Sequence, residues 1–251
     1  APGMNIHRNV LCGRNFEYFS EDPFLSGKMA AAYVKGIQSN GVGTSVKHYA
    51  ANNNEANHYF GNSVVDDRTF REIYLRGFER VVKEAHPKTV MCAYNKVNGE
   101  FASEHKELLT TILRDEWGFD GVVMSDWGAV NDRVKGIIAG LDLEMPGDVT
   151  HNRQVIVDAY NSGELKEEDL NKAVRNMLKL IASSLDYEKV ESIDFEAHAN
   201  ISKSLSLESA VLMKNDNKTL PLNKNGKFLV IGELFEKMRY QGAGSSLIRP
   251  W

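Results

Sequence analysis

The 251-residue chain has only two cysteines, Cys12 and Cys92. A pair so widely spaced supports neither a disulfide framework nor a zinc site. Each reads as a small buried side chain compatible with a reducing compartment, and a cytoplasmic location is the expectation. No apolar run approaches the length needed to span a bilayer, so no membrane partner is expected. The opening Ala1-Pro2-Gly3-Met4-Asn5-Ile6 has neither an initiator Met nor a charged and then apolar leader, and reads as internal to a longer product. Basic blocks are missing as well. Lys and Arg number 30 against 34 Asp and Glu, a net charge of -4, which gives no reason to expect nucleic acid. Internal repeats and low-complexity tracts are also missing.

What is present is ordinary globular composition, 42% hydrophobic and 25% charged. Short apolar runs alternate with amphipathic ones. Strands are expected near Met4 to His7, Val42 to Val46, Thr89 to Tyr94, Gly121 to Ser125 and Leu141 to Met145. Helices are expected over Asp67 to Ala85 (capped by Asp66 or Asp67), after a Ser103 cap, and over Val130 to Ala139, Gln154 to Tyr160 and Glu167 to Leu185. Phe70, Tyr74, Phe78, Val81, Val82 and Ala85 give the first its buried face. Leu109, Ile112, Leu113 and Trp117 serve the second, and Leu170, Val174, Met177, Leu178 and Ile181 the last. Residues 183–194 read as a polar linker. Beyond it come a helix near Phe195 to Ser209 and strands at Val211 to Lys214 and Lys227 to Ile231.

The βαβα alternation argues a parallel sheet with helices outside it. His48, Tyr94, Asp126 and Glu144 sit just after strands, as reactive groups do in a (β/α)8 barrel, although a doubly wound sheet reads similarly. Five strands before the linker fall short of the eight of a closed barrel.

Asp126 is the leading candidate for chemistry. A carboxylate there stands at the mouth of the sheet beside Trp127, and glycoside hydrolysis needs a carboxylate under the anomeric carbon and an apolar wall. A helix cap is an equally good reading of its spacing. Lys47 and His48 are suited to gripping sugar hydroxyls, although singly they read as a surface charge and a core histidine. Tyr94 and Met91 serve either a pocket or strand-end packing. Arg14 has a fork for adjacent hydroxyls or for an ion pair with Glu17, Glu21 or Asp22. Asn52-Asn53-Asn54-Glu55 and Asn57 read mostly as a polar loop.

Together these segments resemble glycoside hydrolase family 3. The resemblance is carried by Gly13-Arg14-Asn15-Phe16-Glu17-Tyr18-Phe19-Ser20-Glu21-Asp22-Pro23, Lys47-His48-Tyr49-Ala50-Ala51-Asn52-Asn53-Asn54-Glu55, Met91-Cys92-Ala93-Tyr94-Asn95-Lys96-Val97-Asn98-Gly99 and Val123-Met124-Ser125-Asp126-Trp127-Gly128-Ala129. Val211 to Asn215, Leu220-Pro221-Leu222 and Gly242-Ala243-Gly244-Ser245-Ser246 resemble the start of that family's second domain.

The resemblance implies an α/β protein: a partial TIM-like (β/α)8 barrel over 1–182, a linker, and the beginning of an α/β sandwich domain over 195–251. It implies a retaining β-glucosidase acting by double displacement on terminal β-D-glucosyl residues, without metal or organic cofactor. Asp126 would be the nucleophile. Arg14, Lys47 and His48 would hold sugar hydroxyls, and Met91, Tyr94 and Trp127 would line the subsite. The partner would be a β-linked oligosaccharide or an aryl or alkyl β-glycoside, and a homo-oligomer is compatible.

Two departures stand out. His58 lies where many relatives carry Arg, and the Gly-His-Gly-Asp loop of the N-acetylglucosaminidase branch is replaced by Asn53-Asn54-Glu55. The acid/base is therefore expected beyond Trp251 and a sugar-gripping aspartate before Ala1, so these residues alone should hydrolyse poorly. The alternatives are a β-xylosidase, a non-catalytic sugar-binding module, and a metal-dependent hydrolase using His48, Glu55 and Asp126. The last lacks the His-x-His or His-Glu-x-x-His spacing.

Overall fold

A computed structural model describes residues 1–148, 150–185 and 192–239. The chain divides into two units, Ala1–Lys189 and Val190–Trp251.

In the first unit, three strands form one parallel sheet: β1 (Ser45–Tyr49), β3 (Thr89–Cys92) and β6 (Val122–Met124), ordered β1-β3-β6. The expected first and fifth strands shrink to one-residue parallel bridges, Gly3 to Lys47 and Leu143 to Met124. Five parallel segments thus lie side by side in chain order, with no reversal. A doubly wound sheet reverses at a switch point, whereas successive neighbours in chain order form the arc of a barrel.

The fifth segment stays short for a physical reason. The Asp142 carboxylate accepts the Val123 N–H at 2.8 Å, a bond that a strand carbonyl would otherwise take. The same carboxylate pairs with Arg114 at 2.7 Å and accepts from Asn176 at 2.9 Å. Burial pushes the Asp142 carboxyl up, against the opposing pull of Arg114.

A second small sheet pairs β2 (Asn62–Ser63) in parallel with β4 (Lys96–Val97), which forms a hairpin with β5 (Glu100–Phe101). The hairpin turns at Asn98 and Gly99, both at positive φ (50° and 101°), as a two-residue Asn-Gly loop does.

Helices alternate with the strands. Helix α1 (Pro23–Gln38) is capped by Asp22, which accepts the N–H groups of Phe24 and Leu25. The helix expected over Asp67 to Ala85 is one run in three parts: α2 (Asp67–Thr69), a π turn over Phe70–Tyr74, and α3 (Arg76–Ala85). Asp66 caps it by accepting the Thr69 N–H. Phe70, Phe78, Val81, Val82 and Ala85 are buried as expected, and Tyr74 is half-buried. Helix α1 approaches α3 closely at Gly27, where an added Cβ would lie 3.2 Å from the Gly77 Cα.

Ser103 does not cap the next helix, whose π-helical turns run over Glu107–Glu116. Its hydroxyl instead donates to the Ala129 carbonyl at 2.8 Å. Leu109, Ile112, Leu113 and Trp117 are buried. Helix α4 (Arg133–Ala139) starts at a cap on Asp132, three residues later than the pattern suggests.

Helices α5 (His151–Ser162) and α6 (Glu167–Ala182) follow. The expected apolar face of α6 is largely open: Leu170 and Met177 are half-buried, and Val174, Leu178 and Ile181 are exposed. The bond from Asn176 to Asp142 turns a polar residue inward in their place.

Of the two cysteines, Cys92 is buried, and burial pushes its thiol up. Cys12 is only half-buried, contrary to expectation. No described helix is long and apolar enough to cross a membrane.

In the second unit, α7 (Phe195–Glu208) is capped by Asp194, and α8 spans Glu233–Glu236. The strands expected at Val211 to Lys214 and Lys227 to Ile231 do not form among the described residues. A strand needs a neighbour for its N–H and C=O groups, and none lies beside these segments among the described residues. Part of the expected linker, 186–191, and the Gly242 to Ser246 stretch lie outside the described residues.

Candidate active site

Each strand of the parallel sheet delivers polar groups at its C-terminal end. β1 carries Lys47 and His48, Tyr94 follows β3 by two residues, and Asp126 follows β6 by two. Arg14 and Glu17 come from the 3-10 turn Asn15–Glu17 and the residue before it.

Asp126 uses its two oxygens differently. Oδ1 accepts the Trp127 N–H at 2.8 Å, which fixes the carboxylate plane. Oδ2 is buried and has no hydrogen-bond partner. It lies 3.4 Å from His48 Nε2 and 3.9 Å from Arg14 Nη1. Asp126 does not cap the following helix, because Asp132 does so.

His48 is wholly buried. Its pKa is held well below the ordinary value, first by burial, then by Arg14, Lys47 and His58. The ring is therefore neutral. Arg14 Nη2 sits 2.6 Å from His48 Nε2, and a guanidinium can only donate, so Nε2 is the bare nitrogen. The proton is on Nδ1, which faces the Tyr18 hydroxyl at 3.1 Å. It follows that no proton lies between His48 and Asp126 Oδ2, and the carboxylate oxygen keeps its lone pairs. Asn5 holds the His48 backbone from both sides, accepting its N–H at 2.8 Å and donating to its carbonyl at 3.0 Å.

Glu17 binds Arg14 Nε through one oxygen and lies 3.5 Å from Lys47 Nζ through the other. Lys47 is thus a mostly covered, paired cation and not a solvated one. Arg14 makes the ion pair with Glu17 that was one of its readings, and it also faces His48 and Asp126.

Tyr94 donates its hydroxyl to the Trp127 carbonyl at 2.9 Å. Burial pushes that hydroxyl up, and the nearby Asp126 adds to the effect. Trp127 is 55% exposed, an apolar face beside the carboxylate. Met91 is half-buried on β3, in register with Met124. Glu144 bonds Asn152 and Arg133, outside the Asp126 cluster.

Asn52 and Asn53 are buried struts, not a solvated loop; Asn53 donates to the Ile6 carbonyl at 2.6 Å. Sequence reasoning missed the wall built by His58 and Tyr59. The His58 ring stacks on Tyr94 with centroids 4.6 Å apart, Tyr59 meets Tyr94 edge-on at 4.9 Å, and Glu55 pairs with His58 at 2.9 Å. The aromatic run His58-Tyr59-Phe60 in a polar stretch was the available signal. Among the described residues, no three His, Cys, Asp or Glu side chains gather as a metal site.

Residues 1–180 match the model of the glycosyl hydrolase family 3 N terminal domain. The chain belongs to glycosyl hydrolase family 3. Thermostable beta-glucosidase B of Acetivibrio thermocellus is 53% identical over the whole chain, which covers 33% of that protein. An exo-alpha-(1->6)-L-arabinopyranosidase of Bifidobacterium longum is 45% identical over the whole chain, covering 34% of that protein. Among solved structures, beta-glucosidase 3B from Thermotoga neapolitana with alpha-D-glucose superposes with a TM-score of 0.92 at 45% identity, over 100% of this chain and 36% of that one. The family 3 beta-glucosidase of Bifidobacterium adolescentis gives 0.90 at 45% identity, over 96% and 36%. This family 3 chain therefore spans about a third of the length of the curated relatives it matches.

Proposed function

We propose that this chain supplies the nucleophile side of a retaining β-glucosidase. The observation that carries the reading is Asp126 Oδ2: a buried carboxylate oxygen, anchored through its twin and left without a hydrogen bond at the mouth of a parallel sheet. Such an oxygen is free to attack an anomeric carbon. Arg14 Nη1 stands 3.9 Å from that oxygen and Lys47 joins the same cluster through Glu17, two cationic donors suited to orienting a sugar ring through its hydroxyls. Trp127 offers an apolar face to the ring's C–H groups, and Met91 and Tyr94 complete the lining.

In the first step Asp126 bonds to C1 while an acid protonates the departing oxygen. In the second, water attacks C1, the bond from C1 to Asp126 breaks and frees the carboxylate, and the same acid, now a base, takes the water's proton. Glu17 is tied to Arg14 and Lys47, and Glu55 to His58, so we assign the acid/base to another part of the protein. Residues 1–182 would form the catalytic barrel, 183–194 a linker, and 195–251 the start of a second domain.

The test is labelling with a dinitrophenyl 2-fluoro-β-glucoside, whose leaving group needs no acid, followed by peptide mapping. Label on Asp126 upholds the assignment; label on any other residue, or none, overturns it. A pentopyranoside substrate is the second reading, supported by the arabinopyranosidase name of the Bifidobacterium longum relative. Relative rates on aryl β-glucoside, β-xyloside and α-L-arabinopyranoside choose between them.

A further inference from the structure

We propose that Glu17 is a positioning residue that keeps Arg14 and Lys47 off the reactive oxygen of Asp126. The inference rests on the assignment of Asp126 as nucleophile and adds a carboxylate that the mechanism above does not use.

Two cations and two carboxylates share this corner. Arg14 is committed at two of its three nitrogens, Nε to Glu17 and Nη2 to His48 Nε2 at 2.6 Å. Its remaining nitrogen, Nη1, stops 3.9 Å from Asp126 Oδ2, outside hydrogen-bond reach. Lys47 is drawn to the other oxygen of Glu17 at 3.5 Å. Glu17 thus holds the nearer contact with both cations, while Asp126 Oδ2 meets only Arg14, at 3.9 Å and without a hydrogen bond. A guanidinium bonded to that oxygen would occupy the lone pair that must attack carbon, and charge-assisted bonds of this kind are the strong ones. The two carboxylates compete for the same cations, and the geometry awards the cations to Glu17.

The pose of Glu17 is built into the backbone. A Cβ on Gly3 would lie 3.1 Å from Glu17 Oε2 and 3.0 Å from the Tyr18 ring. Gly3 also bridges Lys47 in the sheet, so the chain runs hard against Glu17 at this point. Tyr18, the next residue, holds His48 Nδ1. One dipeptide, Glu17-Tyr18, therefore sets the directions of Arg14, Lys47 and His48 together.

The experiment uses Glu17→Gln, which keeps shape and removes charge, and Gly3→Ala, which crowds Glu17 without changing charge. Asp126 labelling by the dinitrophenyl 2-fluoro-β-glucoside is followed against reagent concentration in the full chain. The expected result for Glu17→Gln is a saturating labelling rate lower by about tenfold or more, with half-saturation shifted by less than about threefold. Gly3→Ala should change both quantities in the same sense by less, and it replaces Glu17→Gln if that variant fails to fold. An unchanged rate in a folded variant overturns the proposal. So does a parallel loss of rate and half-saturation, which would mean that Glu17 only helps to grip the sugar.

If the wild-type chain is not labelled at all, the nucleophile assignment falls, and the crystal structure of Glu17→Gln decides the remainder. Arg14 closing to hydrogen-bond distance of Asp126 upholds the positioning role, and an unchanged spacing overturns it.

Discussion

Val122-Val123-Met124 and Val211-Leu212-Met213 are nearly the same tripeptide, and both read as strands. The first is β6, with both valines wholly buried between β3 and the Leu143 segment. The second has no strand partner among the described residues, with Val211 at 81% and Met213 at 93% exposure. Local preference for extended backbone is the same in each case. What differs is the presence of flanking segments able to satisfy the backbone N–H and C=O groups, and these are what convert the preference into a sheet. The buried tripeptide leads directly to Asp126, the carboxylate proposed above as nucleophile.

The sharpest way to press this contrast is at the carboxylate itself. In the full-length protein, Asp126→Asn should cut aryl β-glucoside turnover by about 10⁴-fold or more while leaving the fold intact. Steady-state rates and circular dichroism check both halves.

Next in size is the clasp under β6. Arg114→Ala strands the buried Asp142 carboxylate and should cost about 3–5 kcal/mol in urea unfolding. A loss below about 1 kcal/mol would mean that the clasp does not hold the strand.

A matched pair of leucines tests the contrast directly. Leu109→Ala, wholly buried, should lose about 2–5 kcal/mol. Leu229→Ala, 86% exposed, should stay within about 0.5 kcal/mol in this chain. Similar losses would erase the distinction between the two units.

The smallest effect is on pH. His48 is held neutral in the fold, whereas the unfolded chain protonates it below its ordinary value of 6.5. Its contribution is complete above that value and is lost as pH falls, at up to about 1.4 kcal/mol per pH unit. Comparing unfolding of the wild type and His48→Gln at pH 7 and pH 5 isolates it.

Much of this was legible in the sequence, and the exceptions have causes. The buried faces of Phe70 to Ala85 and Leu109 to Trp117 followed from spacing, because helix periodicity survives even where the turns widen to π geometry. The positions of Tyr94 and Asp126 past their strands followed from where apolar runs stop, whereas the strand expected over Val42 to Val46 runs from Ser45 to Tyr49 and takes His48 inside it. Ser103 was misread because a serine ahead of a helix looks alike whether it caps that helix or donates elsewhere. The open face of α6 was not legible, since the inward turn of Asn176 depends on Asp142, 34 residues away. The His58–Tyr94 stack was missed for the same reason: ring contacts across loops have no period. The Asn98-Gly99 pair is a plain hairpin signal, and the β4–β5 hairpin forms around it.

The Val123 amide is given to a side-chain carboxylate, not to a neighbouring carbonyl. The strand leading to Asp126 is thus moored to an ionic anchor, which cannot slip along a ladder as a carbonyl partner can. Register error at this strand is suppressed by charge, and deuterium should enter the Val123 amide only when the whole unit opens.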